Sequence, residues 1–223
     1  MGNVEPKHEP LPTNSSKAPW FLDAMGSSRE LQSVERIANP LQIGRCYWNV
    51  DAVVEKWGGN AIYGWDVSFW PDSHIVAMHH AIWQSPDGNL YDVTDTYSSV
   101  EKRSHSTFLP DDSIDIDLQI QPCIAARYFA FGSDKETADF IAACSQSHKL
   151  EHEISRIAHR AGYRCEVHYA TARGLPEPDV RLNFSREDDD RCQALIEQRS
   201  HWGFRIGTAI VALIEAQRMS NSR

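Results

Sequence analysis

The spacing of apolar residues changes several times along this chain, and each change marks a new element. Cys46, Val50, Val53, Val54 and Trp57 recur at helical spacing, which puts them on one face of an α-helix that begins at the cysteine. Gly58-Gly59 supplies its left-handed stop. From Ala61 to Trp70 the period falls to two, with Tyr63, Trp65, Val67 and Phe69 alternating with Gly64, Asp66 and Ser68. After the turn Pro71-Asp72-Ser73, the run His74 to Trp83 is more uniformly apolar, as in a strand covered on both faces. Ser85-Pro86-Asp87-Gly88 then predicts a hairpin turn, with Asn89 to Asp95 as the returning strand.

The turn chemistry sets the expected register. Pro86-Asp87 suits the centre of a type I turn and Gly88 the left-handed residue of a G1 bulge. Ser85 then pairs with Asn89, and Ile82 faces Asp92 while His80 faces Thr94. Alternate residues share a face, so His80 and Asp92 become diagonal neighbours and His79 points the other way. A plain two-residue loop would instead bring His79 to Asp92.

Outside this stretch the pattern is plainer. Residues 1–26 are rich in Pro, Ser, Asn, Glu and Lys and are expected to be a disordered tail, tethered at most by Trp20-Phe21-Leu22. Leu31, Val34 and Ile37 suggest a short helix from Ser27 or Ser28, ended by Asn39-Pro40. Ile114 to Ile120 alternates like a strand, and Ile124 to Phe131 suggests another. A capping box at Ser133 opens a helix expected to reach Ala161, with a break near Ser145–Ser147. Residues 163–184 read as one or two short strands and a Pro-rich loop, and 188–218 as a last helix carrying Ile206, Ile210, Leu213 and Ile214. The expected organisation is a tail (1–26), an α+β core (27–131) and a mainly helical C-terminal region (132–223).

Composition narrows the function. Among 223 residues the net charge is −9 and no basic stripe appears, which argues against nucleic acid or an anionic membrane as partner. Five cysteines without C-x-x-C spacing suggest neither a disulfide framework nor a thiolate zinc site, so a reducing cytoplasm is expected. No apolar run has the length of a membrane span or signal peptide. Oligomeric state is not legible.

The chemistry concentrates between Cys46 and Asp95. Thiol catalysis needs a thiolate, a base sharing its proton, and a group that orients the base. Cys46 opens a helix, where unpaired N–H groups and the helix dipole favour a thiolate. His80 follows on one strand and Asp92 on the next. These are the expected catalytic residues: nucleophile, base and orienting acid. Gln42, Asn49, Trp65 and His79 are the expected substrate-binding residues. Gln42 and the Cys46 backbone N–H are the candidate oxyanion donors, the second the firmer of the two. No cofactor and no metal are implied.

Cys at a helix start, H-A-I-W on a strand and D-V-T on the next resemble the papain-like fold in its transglutaminase-like form. The resemblance covers about a quarter of the chain. It implies Cys46 as nucleophile, His80 as base and Asp92 as orienting acid, in a cysteine hydrolase or acyltransferase that acts on a peptide or other amide through a thioester. The stretch is also similar to a group of uncharacterised bacterial proteins with C-x-x-N-V, G-G, G-W and H-A-x-W-x-x-P-D-G-x-L-x-D-x-T in this order. From the family pattern the sequence departs in the tight hairpin between His80 and Asp92 and in a short Cys-to-His interval.

Two other readings compete. His148-Lys149-Leu150-Glu151-His152 matches H-x-x-E-H, in which histidines four apart on a helix chelate zinc beside Glu151 as base. A metal site from His79 and His80 with Asp92 or His74 is disfavoured, because adjacent strand residues point to opposite faces. The four tryptophans from Trp48 to Trp70 could instead line a groove for a peptide or glycan, with Cys46 inert. A buried cysteine on an apolar stripe is commonly just a small hydrophobe.

Overall fold

A computed structural model describes residues 7–95 and 104–220. In chain order the elements are β1 (Glu9–Pro10), α1 (Ala18–Met25), β2 (Gln32–Leu41), α2 (Cys46–Trp57), β3 (Asn60–Trp70), β4 (His74–Gln84), β5 (Leu90–Thr94), β6 (His105–Pro110), β7 (Arg127–Ala130), α3 (Lys135–Arg160), α4 (Glu166–Ala172) and α5 (Arg186–Ser220). The class is α+β.

Strands β3, β6, β2, β5 and β4 pair in that order, and β4 returns to β3 along its whole length, closing a five-stranded barrel. Short β1 and β7 add to β3 and β4. One buried cluster takes Val34, Ile62, Ile82, Leu90 and Phe108, a residue from each barrel strand, so these positions line the barrel interior. Period two then assigns Arg36, Gly64, His80 and Asp92 to the same inner face. Gly64, opposite His80, has no room for a side chain: a Cβ there would collide with the Leu109 carbonyl and the Phe108 ring. The outer face is covered twice. Helix α2 packs Tyr47, Trp48, Val50 and Val53 against Ala81 and Val93. Leu11 and Phe21 cover Trp65, Val67, Ile75 and Ala77. Helices α3 and α5 form an antiparallel hairpin whose far end seals Trp70 with Phe140, Ile210 and Leu213. Among the described residues, no helix is long and apolar enough to cross a membrane.

The hairpin follows its turn chemistry. Gly88 has φ of 88°, its N–H donates to Ser85 O at 2.9 Å, and Ser85 N–H donates to Asn89 O at 2.9 Å. The pairs Trp83↔Tyr91 and Gln84↔Leu90 hold the expected register. The ladder stops there, so His80 and Asp92 meet through side chains rather than backbone.

Elsewhere the structure corrects the sequence reading. Part of the expected tail is built into the body: Leu11 and Phe21 are fully buried and α1 lies on the barrel, while residues 1–6 fall outside the described residues. Few apolar residues suffice here because the barrel already offers them an apolar face. The expected helix through Ile37 is strand β2. Leu31 and Ile37 pack into the outer clusters and Val34 into the barrel, a two-sided strand whose spacing imitates a helix. No strand forms at 114–120; Ile116 and Leu118 pack instead against the cluster under α2. Residues 166–172 are helix α4 rather than strand, and α3 runs unbroken. Its N-cap is Asp134, which accepts from the Thr137 N–H. The stripe on α2 is also displaced: Tyr47 and Trp48 are buried and Trp57 is 53% exposed.

Candidate active site

Asp92 is the fixed point of the site. Its side chain is 1% exposed, on β5 beside parallel β2. Oδ2 accepts from Arg36 Nη2 at 2.7 Å, and Oδ1 accepts from His80 Nε2 at 3.1 Å and from the Thr94 N–H at 3.1 Å. Arg36 also donates through Nε to the Thr94 carbonyl at 3.1 Å. Burial pushes the Asp92 carboxyl up, but His80 and Arg36 outweigh it and hold the group well below the usual carboxylate range. Asp92 is therefore a permanent anion inside the barrel.

That anion dictates the state of His80. Its Nε2 is committed to Asp92, and the Cys46 thiol is the ring's other side-chain partner. Burial alone would lower the imidazole pKa. The charges of Asp92 and Cys46 and the hydrogen bonds to both raise it well above its ordinary value instead. An imidazolium is thus favoured between a carboxylate and a sulfur. His80 keeps 16% exposure and Cys46 is half-buried, so reagents can reach the pair.

Helix α2 delivers the sulfur. Cys46 is its first residue, so the Cys46 N–H has no partner within the helix. Asn49 is fully buried and pins this end: its Nδ2 donates to the Gln42 carbonyl at 2.8 Å and to Thr94 Oγ1 at 3.0 Å. One amide thereby ties the loop before the cysteine to the strand that carries Asp92. Trp48 Nε1 donates to the Leu118 carbonyl at 3.1 Å, drawing the 111–126 segment against the same helix.

The expected catalytic residues are all brought together; the expected binding residues are not. Asn49 and Trp65 are closed off, and their roles are packing and pinning rather than contact with substrate. His79 lies on the outer face, with Nδ1 on the Tyr47 hydroxyl at 2.9 Å and its ring edge-on to Trp65. Burial, with Asp111 opposing and His80 and Arg127 assisting, lowers its pKa to about 4. It is a neutral packing residue. Gln42 is exposed, and its Oε1 accepts from Arg45, which leaves its amide hydrogens to face solvent. Arg36 was missed. Reading 32–37 as a strand would have found it, two residues beyond Val34 on the inner face.

The competing sites are not assembled. His148, Glu151 and His152 lie on α3 with Glu151 4.0 Å from Arg199, and among the described residues no group of three or more His, Cys, Asp or Glu is placed to hold a metal. His74 is taken by Ser73 Oγ at 2.8 Å and His8 at 3.0 Å. Of the four tryptophans expected to line a groove, Trp48, Trp65 and Trp70 are buried. Compared with known proteins, the chain matches no family model, no curated protein and no solved structure.

Proposed function

We propose that this protein is a cysteine hydrolase or acyltransferase acting on an amide, with Cys46 as nucleophile, His80 as acid and base, and Asp92 as the orienting acid. The observation that carries the reading is His80 held between the Cys46 sulfur and the permanently ionised Asp92. A cysteine-led helix packed on a barrel whose strands supply His and then Asp also supports a papain-like core of the transglutaminase-like kind. The sulfur of Cys46 attacks the substrate carbonyl carbon, and the carbonyl oxygen becomes an oxyanion beside the Cys46 N–H, which has no partner within the helix. Collapse breaks the C–N bond, and the departing amine takes the proton from His80. The thioester is then released by water, or by a second amine, whose proton returns to His80. Asp92 holds the ring in one tautomer throughout.

The test uses iodoacetamide labelling at pH 6, followed by peptide mass spectrometry. Burial raises the thiol pKa of Cys123, Cys144, Cys165 (to about 12) and Cys192, so these should lag behind Cys46. Cys46 should also form an acetyl thioester with p-nitrophenyl acetate, releasing p-nitrophenolate. His80→Ala should slow both reactions at least about tenfold, the lower range for a lost general base. Labelling of Cys46 no faster than the other four, with no acetylation, would overturn the assignment.

A further inference from the structure

The start of α2 beside Cys46 carries a cation that the catalytic reading leaves idle. Arg45 immediately precedes the nucleophile, at the positive end of α2, and is half-buried. Arg29, Arg36, Arg160, Arg173 and Arg191 each pair with a carboxylate. Arg45 pairs with none among the described residues; its partner is the neutral Gln42 side chain. Two polar groups feel its charge, Tyr163 just before α4 and His168 on α4. His168 lies over the Trp48 ring at 4.4 Å, and its Nδ1 is 2.9 Å from the Tyr163 hydroxyl. With the phenol donating to Nδ1, the hydrogen of His168 sits on Nε2 and is free to donate. Burial, assisted by the Arg45 charge, lowers the His168 pKa to about 4, so this ring is a neutral donor and does not compete with Arg45 for an anion. Arg45 likewise acts on Tyr163, opposing the larger effect of burial that lifts the phenol to about 12.

We propose that Arg45, with His168 and Tyr163, forms an anion subsite beside the nucleophile, and that the amide substrate carries a carboxylate next to its scissile bond. The planar guanidinium fork matches a carboxylate, and the helix terminus adds to its field. The neutral donors supply hydrogen bonds without a second charge to desolvate. This inference deepens the thiol reading and rests on it.

Two alkylating agents that differ only in charge test it. Both form the S–C bond to Cys46 and expel iodide, but iodoacetate is an anion and iodoacetamide is neutral. The quantity to measure is the ratio of their rates at Cys46, in the intact chain at pH 7. Arg45→Gln should lower that ratio about fivefold, the effect of one charge at a partly solvated site. Arg45→Lys should keep most of it. Added salt should depress the wild-type ratio and leave that of Arg45→Gln nearly flat. The His80 imidazolium also attracts iodoacetate, but it is common to all three proteins and cancels. Reaction at Cys46 with a ratio unchanged in Arg45→Gln overturns the subsite and spares the nucleophile. Cys46 no more reactive than the other thiols toward either reagent overturns the catalytic reading itself. His168→Gln, which keeps a donor amide, should fall between wild type and Arg45→Gln; a ratio equal to wild type removes His168 from the subsite.

Discussion

Replacing Arg36 by methionine strikes the part of the site that carries its electrostatics without touching sulfur or imidazole. The guanidinium and carboxylate are 2.7 Å apart, with side chains 9% and 1% exposed. Removing one member of a buried pair costs about 3–5 kcal/mol, because the other charge is left without compensation. Asp92 keeps two donors, His80 Nε2 and the Thr94 N–H, each at 3.1 Å, so the lower end, about 3 kcal/mol, is expected. The deficit should depend on pH. A carboxylate with a depressed folded-state pKa contributes stability that is present above its unfolded value and lost as pH falls through the folded value. Wild type holds Asp92 well below the carboxylate range, and losing Arg36 returns it upward. The gap between the two proteins should therefore be widest at neutral pH and shrink below about pH 4, near the unfolded carboxylate pKa. Urea denaturation followed by circular dichroism at pH 7 and pH 3.5 measures it. Arg36→Lys should restore part of the loss, since it keeps the charge but not the second hydrogen bond to the Thr94 carbonyl. A deficit under about 1 kcal/mol at pH 7, the size of a surface pair, would refute the picture of a buried, compensated charge.

Two further outcomes test the barrel and its far end. His74 is fully buried, with its pKa lowered to about 4 by desolvation despite the opposing charge of Asp134. The unfolded chain then binds the proton first, near pH 6.5, so stability falls as pH drops from there toward 4. At pH 4.5 the loss from this residue is about 2.5 kcal/mol. His74→Gln should flatten the stability profile between pH 7 and 4.5 by about that amount, and an unchanged slope would exclude His74 as its source. Gly64→Ala should destabilise by about 2 kcal/mol or more, since the new methyl meets backbone that cannot rotate away. A neutral effect in thermal melting would mean that β3 and β6 separate more easily than their packing indicates.

The local chemistry of the chain already determined the hairpin and much of the site. Pro86, Asp87 and Gly88 select one turn, the turn selects one register, and the register puts His80 and Asp92 on one face before any tertiary contact forms. The start of α2 at Cys46 was legible for the same reason: helical spacing and a glycine stop are short-range signals. Barrel closure was not. The β2 strand joins β5 and β6 across long stretches of sequence, and Leu31, Val34 and Ile37 fit a helix as well as a two-sided strand. Only the pairing decides between them, and with that decision Arg36 enters the barrel beside Asp92. Leu11 and Phe21 are buried for a related reason. Their segment is too polar to fold by itself, and it becomes ordered only because β3 and β4 present an apolar outer face to cover. Likewise no periodicity announces Asn49 as the pin of α2. Its two hydrogen bonds join Gln42 to Thr94, and the folded barrel alone makes them neighbours.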